Sequence, residues 1–299
     1  MGHNLQRKLR MLPAKIAHGI SKAAPMRCRN ERRYRRARVR YQAKTPSLSG
    51  IDRHIQEQLE NQGVFVTTTT SLALTSSADI LDAGRQLALD FATEAHRRSA
   101  AGEKFLMVPP AATLARPELF AWGLQDRLLD IVEAYLGLPA AYDGCTILYT
   151  VANGDEEATR RWHRDREDRR MVKIIIYLND VAAQEGGPFQ LDPASDALDA
   201  APNCQLPIIT CEGPAGTVIF ADTARFLHRG EPTSKNDRMV IVYSYFSRTP
   251  RYPLFCERSG LSRRQIASLA AGFGPRQREA ILWRKNLPWP LRSLPSAPI

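Results

Sequence analysis

The residues of this 299-residue chain best suited to chemistry lie in two short stretches. His163 and Asp165 stand two apart in Arg161-Trp162-His163-Arg164-Asp165, and His228 follows 63 positions after Asp165, in Phe226-Leu227-His228-Arg229-Gly230. Two imidazoles and one carboxylate on one face of a metal leave the opposite positions open. That is the donor set of a non-haem Fe(II) centre, which needs open positions for a cosubstrate and for O2. Arg238 lies ten positions beyond His228. A guanidinium there can hold a carboxylate through two parallel hydrogen bonds, which Arg does better than Lys. A lone His-x-Asp arises readily by chance, and either histidine taken singly reads equally as a core residue or a turn residue. The weight comes from the order of features: the pair, a buried strand, Gly186-Gly187-Pro188, Gly216-Thr217-Val218-Ile219-Phe220, His228 and then Arg238.

These residues need elements to bring them together. Alternate residues of a strand share a face, so an extended 161–166 sets His163 beside Asp165, and His228 must arrive on a neighbouring strand. The sequence supplies the strands: Thr146 to Ala152, Met171 to Leu178, Phe189-Gln190-Leu191, Pro207 to Cys211, Thr217 to Ala221 and Arg238 to Phe246. Many short strands separated by turns predict a sandwich or jelly roll. Helical patterns precede them over Ile51 to Asn61, Ser77 to Arg97 and Pro117 to Leu136, with a β-rich Val64 to Thr70 after the first. Pro117 suits a first helical position and Gly137 a stop. Helices return over Ser262 to Ala271 and Pro275 to Arg284. The expected fold class is therefore mainly β with flanking α-helices.

Charge divides the chain. The net charge is +11, yet residues 1–44 hold 14 Lys and Arg against the single acid Glu31, a sum of +13, so residues 45–299 sum to −2. Residues 1–44 read as a basic N-terminal arm, solvated and flexible, with Leu5, Leu9, Leu12, Ile16 and Ile20 at helical spacing in a segment that Pro13 interrupts. A membrane-surface arm and an organelle transit segment fit the same composition. Residues 45–299 read as the catalytic domain, with a strand-built core at about 143–248. Nucleic acid is not the expected partner of a nearly neutral body. No window has the ~18 apolar residues of a membrane span, and the start lacks a secretory apolar run, so a cytoplasmic location is expected, with peripheral membrane contact through residues 1–44 left open. The five cysteines (Cys28, Cys145, Cys204, Cys211, Cys256) are scattered and odd in number, which points to reduced thiols.

Trp162-His163-Arg164-Asp165, the strand VKIIIYLNDV, Gly187-Pro188-Phe189, GPAGTVIFADT, His228-Arg229-Gly230 and Arg238 together resemble the phytanoyl-CoA dioxygenase family of Fe(II)/2-oxoglutarate-dependent oxygenases. The resemblance covers about Cys145 to Phe246. It implies a double-stranded β-helix (jelly-roll, cupin-like) core, Fe(II) held by His163, Asp165 and His228, and 2-oxoglutarate as cosubstrate with its distal carboxylate on Arg238. It also suggests Tyr149 as a further cosubstrate contact. The implied reaction oxidises a C–H bond of a small-molecule substrate with O2, releasing succinate and CO2. The carboxylate at 165 stands where halogenating relatives have a small residue, which favours hydroxylation or a related oxidation. Leu191-Asp192-Pro193-Ala194-Ser195 departs from the Pro-Gly-Ser-His-like segment of the family, so substrate identity does not carry over.

Other residues keep two readings. Arg160, Arg161, Arg164, Arg166, Arg169 and Arg170 form either an anion-binding rim or a surface laced with Asp155, Glu156, Glu157, Glu167 and Asp168. Lys173 either enters the site or turns outward. Trp283 and Trp289 look like docking residues for the C-terminal segment. A competing function is an inactive jelly-roll binding module whose basic arm binds nucleic acid or an anionic membrane.

Overall fold

The computed structural model describes residue 19 and residues 24–183, 185–198, 206–294 and 296. The expected apolar run Leu5 to Ile20, Cys204 and the polar stretch around Asn203 lie outside them.

Among the described residues nine strands make two facing sheets: β1 (Val64–Thr68), β2 (Leu106–Met107), β3 (Ala140–Thr150), β4 (Val172–Tyr177), β5 (Phe189–Asp192), β6 (Ile209–Cys211), β7 (Thr217–Asp222), β8 (Leu227–Gly230) and β9 (Arg238–Ser247). The larger sheet runs β1-β7-β4-β9-β3-β2 and the smaller runs β6-β5-β8, with antiparallel pairing throughout. His163 adds an isolated antiparallel bridge to His228, extending the smaller sheet past β8. From β3 onward the chain alternates between the sheets, in the order β3, His163, β4, β5–β6, β7, β8, β9. This is the double-stranded β-helix. Its later strands return beside its earlier ones, which is how positions 163 and 228 meet.

The apolar run Met171 to Leu178 follows from this arrangement. β4 is central and covered on both sides, so both of its faces are apolar. Ile174, Ile176, Ile241 and Tyr243 face a helical layer, while Ile175, Tyr177, Val240 and Val242 face the smaller sheet with Phe189, Leu191 and Cys211. Ile241 is fully buried, and its truncation to Ala costs about 2–5 kcal/mol.

The helical layer contains α2 (Gly50–Asn61), α3 (Ser77–Ala100), α4 (Pro117–Trp122) and α5 (Asp126–Leu136). The pattern expected as one helix over Pro117 to Leu136 is two, broken at Gly123. The Gly123 carbonyl accepts the Tyr245 hydroxyl at 2.6 Å, and a Cβ there would meet Tyr243 and Tyr142. The close approach to the sheet needs glycine, and the chain turns there. β3 starts at Ala140, earlier than its apolar run suggests, with an irregularity between Tyr142 and Cys145.

Residues Ala24–Tyr41 form α1, so part of the expected flexible arm is a helix. It docks through Tyr34, Ala37 and Tyr41, whose hydroxyl donates to Glu133 Oε2 at 2.8 Å. After the jelly roll come α6 (Arg263–Ala270), opened by a Ser262/Gln265 capping box, and α7 (Pro275–Ile281). Trp283 is buried edge-on to Phe246, whereas Trp289 is 76% exposed, so only the first docks. Cys28 is exposed, and Cys145, Cys211 and Cys256 are buried free thiols. Among the described residues no helix is long and apolar enough to cross a membrane.

Candidate metal centre

His163 and His228 exchange both backbone hydrogen bonds, each N–H donating to the other's carbonyl at 3.0 Å. Directly opposed residues of an antiparallel pair share a face, and the two ring centroids lie 4.2 Å apart. Asp165 is two residues on, with its N–H on the Thr223 carbonyl at 2.8 Å. Residues 161–166 make no full strand, yet this bond and the bridge keep them extended enough to return Asp165 to the same side. One potential ligand atom from each of His163, Asp165 and His228 lies within 4.8 Å of the others.

The imidazoles are oriented from behind. His163 Nδ1 lies 2.8 Å from the Arg161 carbonyl and His228 Nδ1 lies 3.3 Å from the Phe226 carbonyl. A carbonyl only accepts, so each Nδ1 carries its proton and each Nε2 presents a lone pair, which fixes the ligating tautomer. Burial pushes the His228 pKa down to about 3 against the opposing pull of Asp165, while His163 and Lys173 reinforce the burial. His228 is therefore neutral at pH 7, as a ligand must be. Burial resists ionisation of Asp165, but the Lys173 ammonium beside it outweighs burial and holds the carboxyl below the usual carboxylate range.

Lys173 enters the site. Its Nζ lies 2.6 Å from Asp165 Oδ2, and His228 Nε2 lies 3.9 Å from the same oxygen. The contact is an ion pair and not a well-directed hydrogen bond, because no donor meets this buried oxygen at hydrogen-bonding angles.

A cavity of about 150 Å³ opens between the sheets from this cluster. At one end is Arg238, buried with no carboxylate in ion-pair distance among the described residues. Its contacts are long ones, to Thr150 Oγ1 at 3.3 Å and the Glu231 carbonyl at 3.4 Å. A buried, unpaired guanidinium is costly, and an incoming carboxylate would relieve that cost. Gly230 makes the room, since an added Cβ would overlap the Arg238 guanidinium. The middle of the cavity is apolar, with Leu148, Ile175, Val240 and Val242. Lys173, Glu167, Arg258 and Ser244 gather away from Arg238. Arg258 Nε pairs with Glu167 at 2.9 Å.

Tyr149 is elsewhere. Thr150 pairs with Arg238 and Tyr149 with Met239, so the pleat turns Tyr149 to the helical side of the sheet. Its hydroxyl donates to Asp237 Oδ2 at 2.6 Å, and its ring meets Phe91 and His96 edge-on. The expected cosubstrate contact is thus corrected: the β3 side chain beside Arg238 is Thr150. Signals for Lys173 and Gly230 existed in their places on β4 and after His228, but their contacts depend on strand parity. The arginines near the pair have ordinary partners: Arg160 on Asn153, Arg161 on the Glu156 carbonyl, Arg164 on the Arg225 and Ser195 carbonyls, Arg169 on Glu31 and Asp168, and Arg170 on Glu60. None of them lines the cavity that opens from the metal cluster, and of the acids expected to lace them only the Asp168 carboxylate is among these partners.

No protein-family model matches the sequence, and no curated protein matches it. Solved structures similar to this chain include the non-haem alpha-ketoglutarate-dependent epimerase SnoN from nogalamycin biosynthesis (18% identity, 66% of this chain and 83% of that chain, TM-score 0.44). HygX from Streptomyces hygroscopicus with nickel and 2-oxoglutarate bound matches at 15% identity over 68% of this chain and 88% of that chain, with a TM-score of 0.45. EctD from S. alaskensis with 2-oxoglutarate and 5-hydroxyectoine matches at 15% identity over 68% of this chain and 77% of that chain, with a TM-score of 0.48. With TM-scores below 0.5 these likenesses carry no weight for function, and the fold rests on the strand order and register of this chain.

Proposed function

We propose that this chain is an Fe(II)- and 2-oxoglutarate-dependent dioxygenase, similar to the phytanoyl-CoA dioxygenase family, that oxidises a C–H bond of a small-molecule substrate and releases succinate and CO2. One observation carries the reading. Two tautomer-fixed imidazoles and an ionised carboxylate converge at one end of a cavity that also holds a buried, unpaired guanidinium.

The residues suit the groups they would hold. His163, Asp165 and His228 would bind Fe(II), and three ligands leave room for more. Arg238, with Thr150 beside it, would take the distal carboxylate of 2-oxoglutarate. The bound iron and cosubstrate supply O2 activation coupled to oxidative decarboxylation. The chain does the rest. Leu148, Ile175, Val240 and Val242 keep water from the space between Arg238 and the ligands, while Gly230 lets the guanidinium lie close against β8. Lys173 holds Asp165 ionised and aimed before metal arrives.

Anaerobic titration with Fe(II) and then 2-oxoglutarate tests the assignment. A visible charge-transfer band is expected for the wild-type protein and is expected to vanish in His163→Ala, Asp165→Ala and His228→Ala. Succinate formation in air should vanish in the same three variants. Full turnover in all three would sink the proposal.

A further inference from the structure

From α1 we infer that this protein binds the backbone of double-stranded DNA through an outward stripe of arginines, independently of the metal centre. α1 holds eight arginines and one acid in 18 residues. The acid, Glu31, points inward to Arg169 at 2.9 Å, and Arg169 in turn lies over the Tyr34 ring at 4.3 Å. The aromatic side chains of α1 also face the body. What remains outward is basic: Arg29, Arg33, Arg36 and Arg40 are exposed, and none has a carboxylate partner among the described residues.

Their spacings of four, three and four put these residues on one face, one turn apart, along about 16 Å of helix. Clefts of about 740 and 570 Å³ flank the helix; Arg251 of the body lines both and Arg292 lines the second, so positive charge continues on both sides. The nearly neutral body thus carries the basic segment as a docked helical surface.

Such a surface fits a regular polyphosphate. A membrane-surface helix needs an apolar face to enter the lipid boundary, but Tyr34, Ala37 and Tyr41 are turned inward, leaving Met26 and Val39 as the exposed large apolar residues of α1. An α-helix of about 10–12 Å diameter matches the ~12 Å major groove of B-form DNA, whereas the A-form major groove of RNA is too narrow for side chains to read. The arginines are assigned to phosphate oxygens, which carry no sequence information, so binding is expected to be independent of sequence.

The test is fluorescence anisotropy of the full chain with a labelled 20-base-pair DNA duplex, between roughly 50 and 200 mM salt. Four phosphate contacts predict a log–log salt slope of about −3.6, hence a loss of affinity of about a hundred-fold across that range. The variant Arg29→Gln/Arg33→Gln/Arg36→Gln/Arg40→Gln should fold, because all four side chains are exposed and Gln matches Arg in helix propensity. Its binding should be at least ten-fold weaker, with a markedly shallower salt slope. No duplex binding by wild type at 50 mM salt, or unchanged binding by the quadruple variant, overturns the inference. Capture by phosphatidylserine vesicles without duplex binding overturns it too.

Discussion

Lys173 Nζ stands 2.6 Å from Asp165 Oδ2, the oxygen that faces His228 Nε2 at 3.9 Å. An ammonium therefore occupies the charge environment that a divalent ion would share. In the metal-free protein the pair keeps a nearly buried carboxylate ionised, and a bound metal has to compete with it.

Lys173→Met separates the two roles. Breaking a buried ion pair from one side costs about 3–5 kcal/mol, so the metal-free variant should unfold at lower temperature than the wild type. With its competitor gone, the metal should bind more tightly. The rise in Tm on adding Ni(II), which follows ligand affinity, should be larger in Lys173→Met than in the wild type. An equal or smaller rise would show that Lys173 does not oppose the metal.

Arg238 makes a second, separable prediction. Arg238→Lys keeps a charge but loses the planar fork, and 2-oxoglutarate binding should weaken by roughly 10- to 100-fold. Ni(II) affinity measured by calorimetry should stay within two-fold of wild type, because Arg238 is not among the three ligands. A parallel loss of metal binding would mean that Arg238 supports the triad and not the cosubstrate.

Gly230→Ala should reproduce that defect without touching a charge. An added Cβ overlaps the guanidinium, so the fork must shift while the helical layer and the triad stay in place. The expected result is a raised KM for 2-oxoglutarate with a folded protein and intact Ni(II) binding. Wild-type kinetics would show that Arg238 has slack the structure does not suggest.

The triad was legible because residue type and order carry it: His163, Asp165 and His228 are set by strand order, and a jelly roll needs only the strand series to predict their meeting. Tyr149 was misplaced for a physical reason. β3 and β4 are covered on both faces, so apolarity does not tell which face of a strand looks into the cavity. Parity became visible only through the pairing of Thr150 with Arg238. The same ambiguity hid Lys173, which shares its face with Ile175 and Tyr177. The break at Gly123 was unreadable because its cause is the approach of Tyr142 and Tyr243, distant in sequence.

The pH dependence of stability should carry a signature from Asp143, in the β3 irregularity. Burial pushes its pKa up to about 7, against backbone hydrogen bonds from Arg258 at 2.9 Å and Glu257 at 2.7 Å that favour the charged form. These bonds also anchor the segment that carries Arg258 into the cavity. In the unfolded chain Asp titrates near 4. The folded state therefore holds a proton between about pH 4 and 7 that the unfolded state has released. Its stabilising contribution is complete below pH 4 and is lost as pH rises through 7, by up to a few kcal/mol. Asp143→Asn removes the titration, although it leaves one N–H less well satisfied at every pH. Denaturant unfolding at pH 5 and 8 should show wild type losing more stability between the two than Asp143→Asn does. The neutral, buried His228 acts in the opposite sense below about pH 6.5 and is common to both proteins, so the difference between them isolates Asp143. Parallel losses would mean that Asp143 is ionised in the folded state throughout this range.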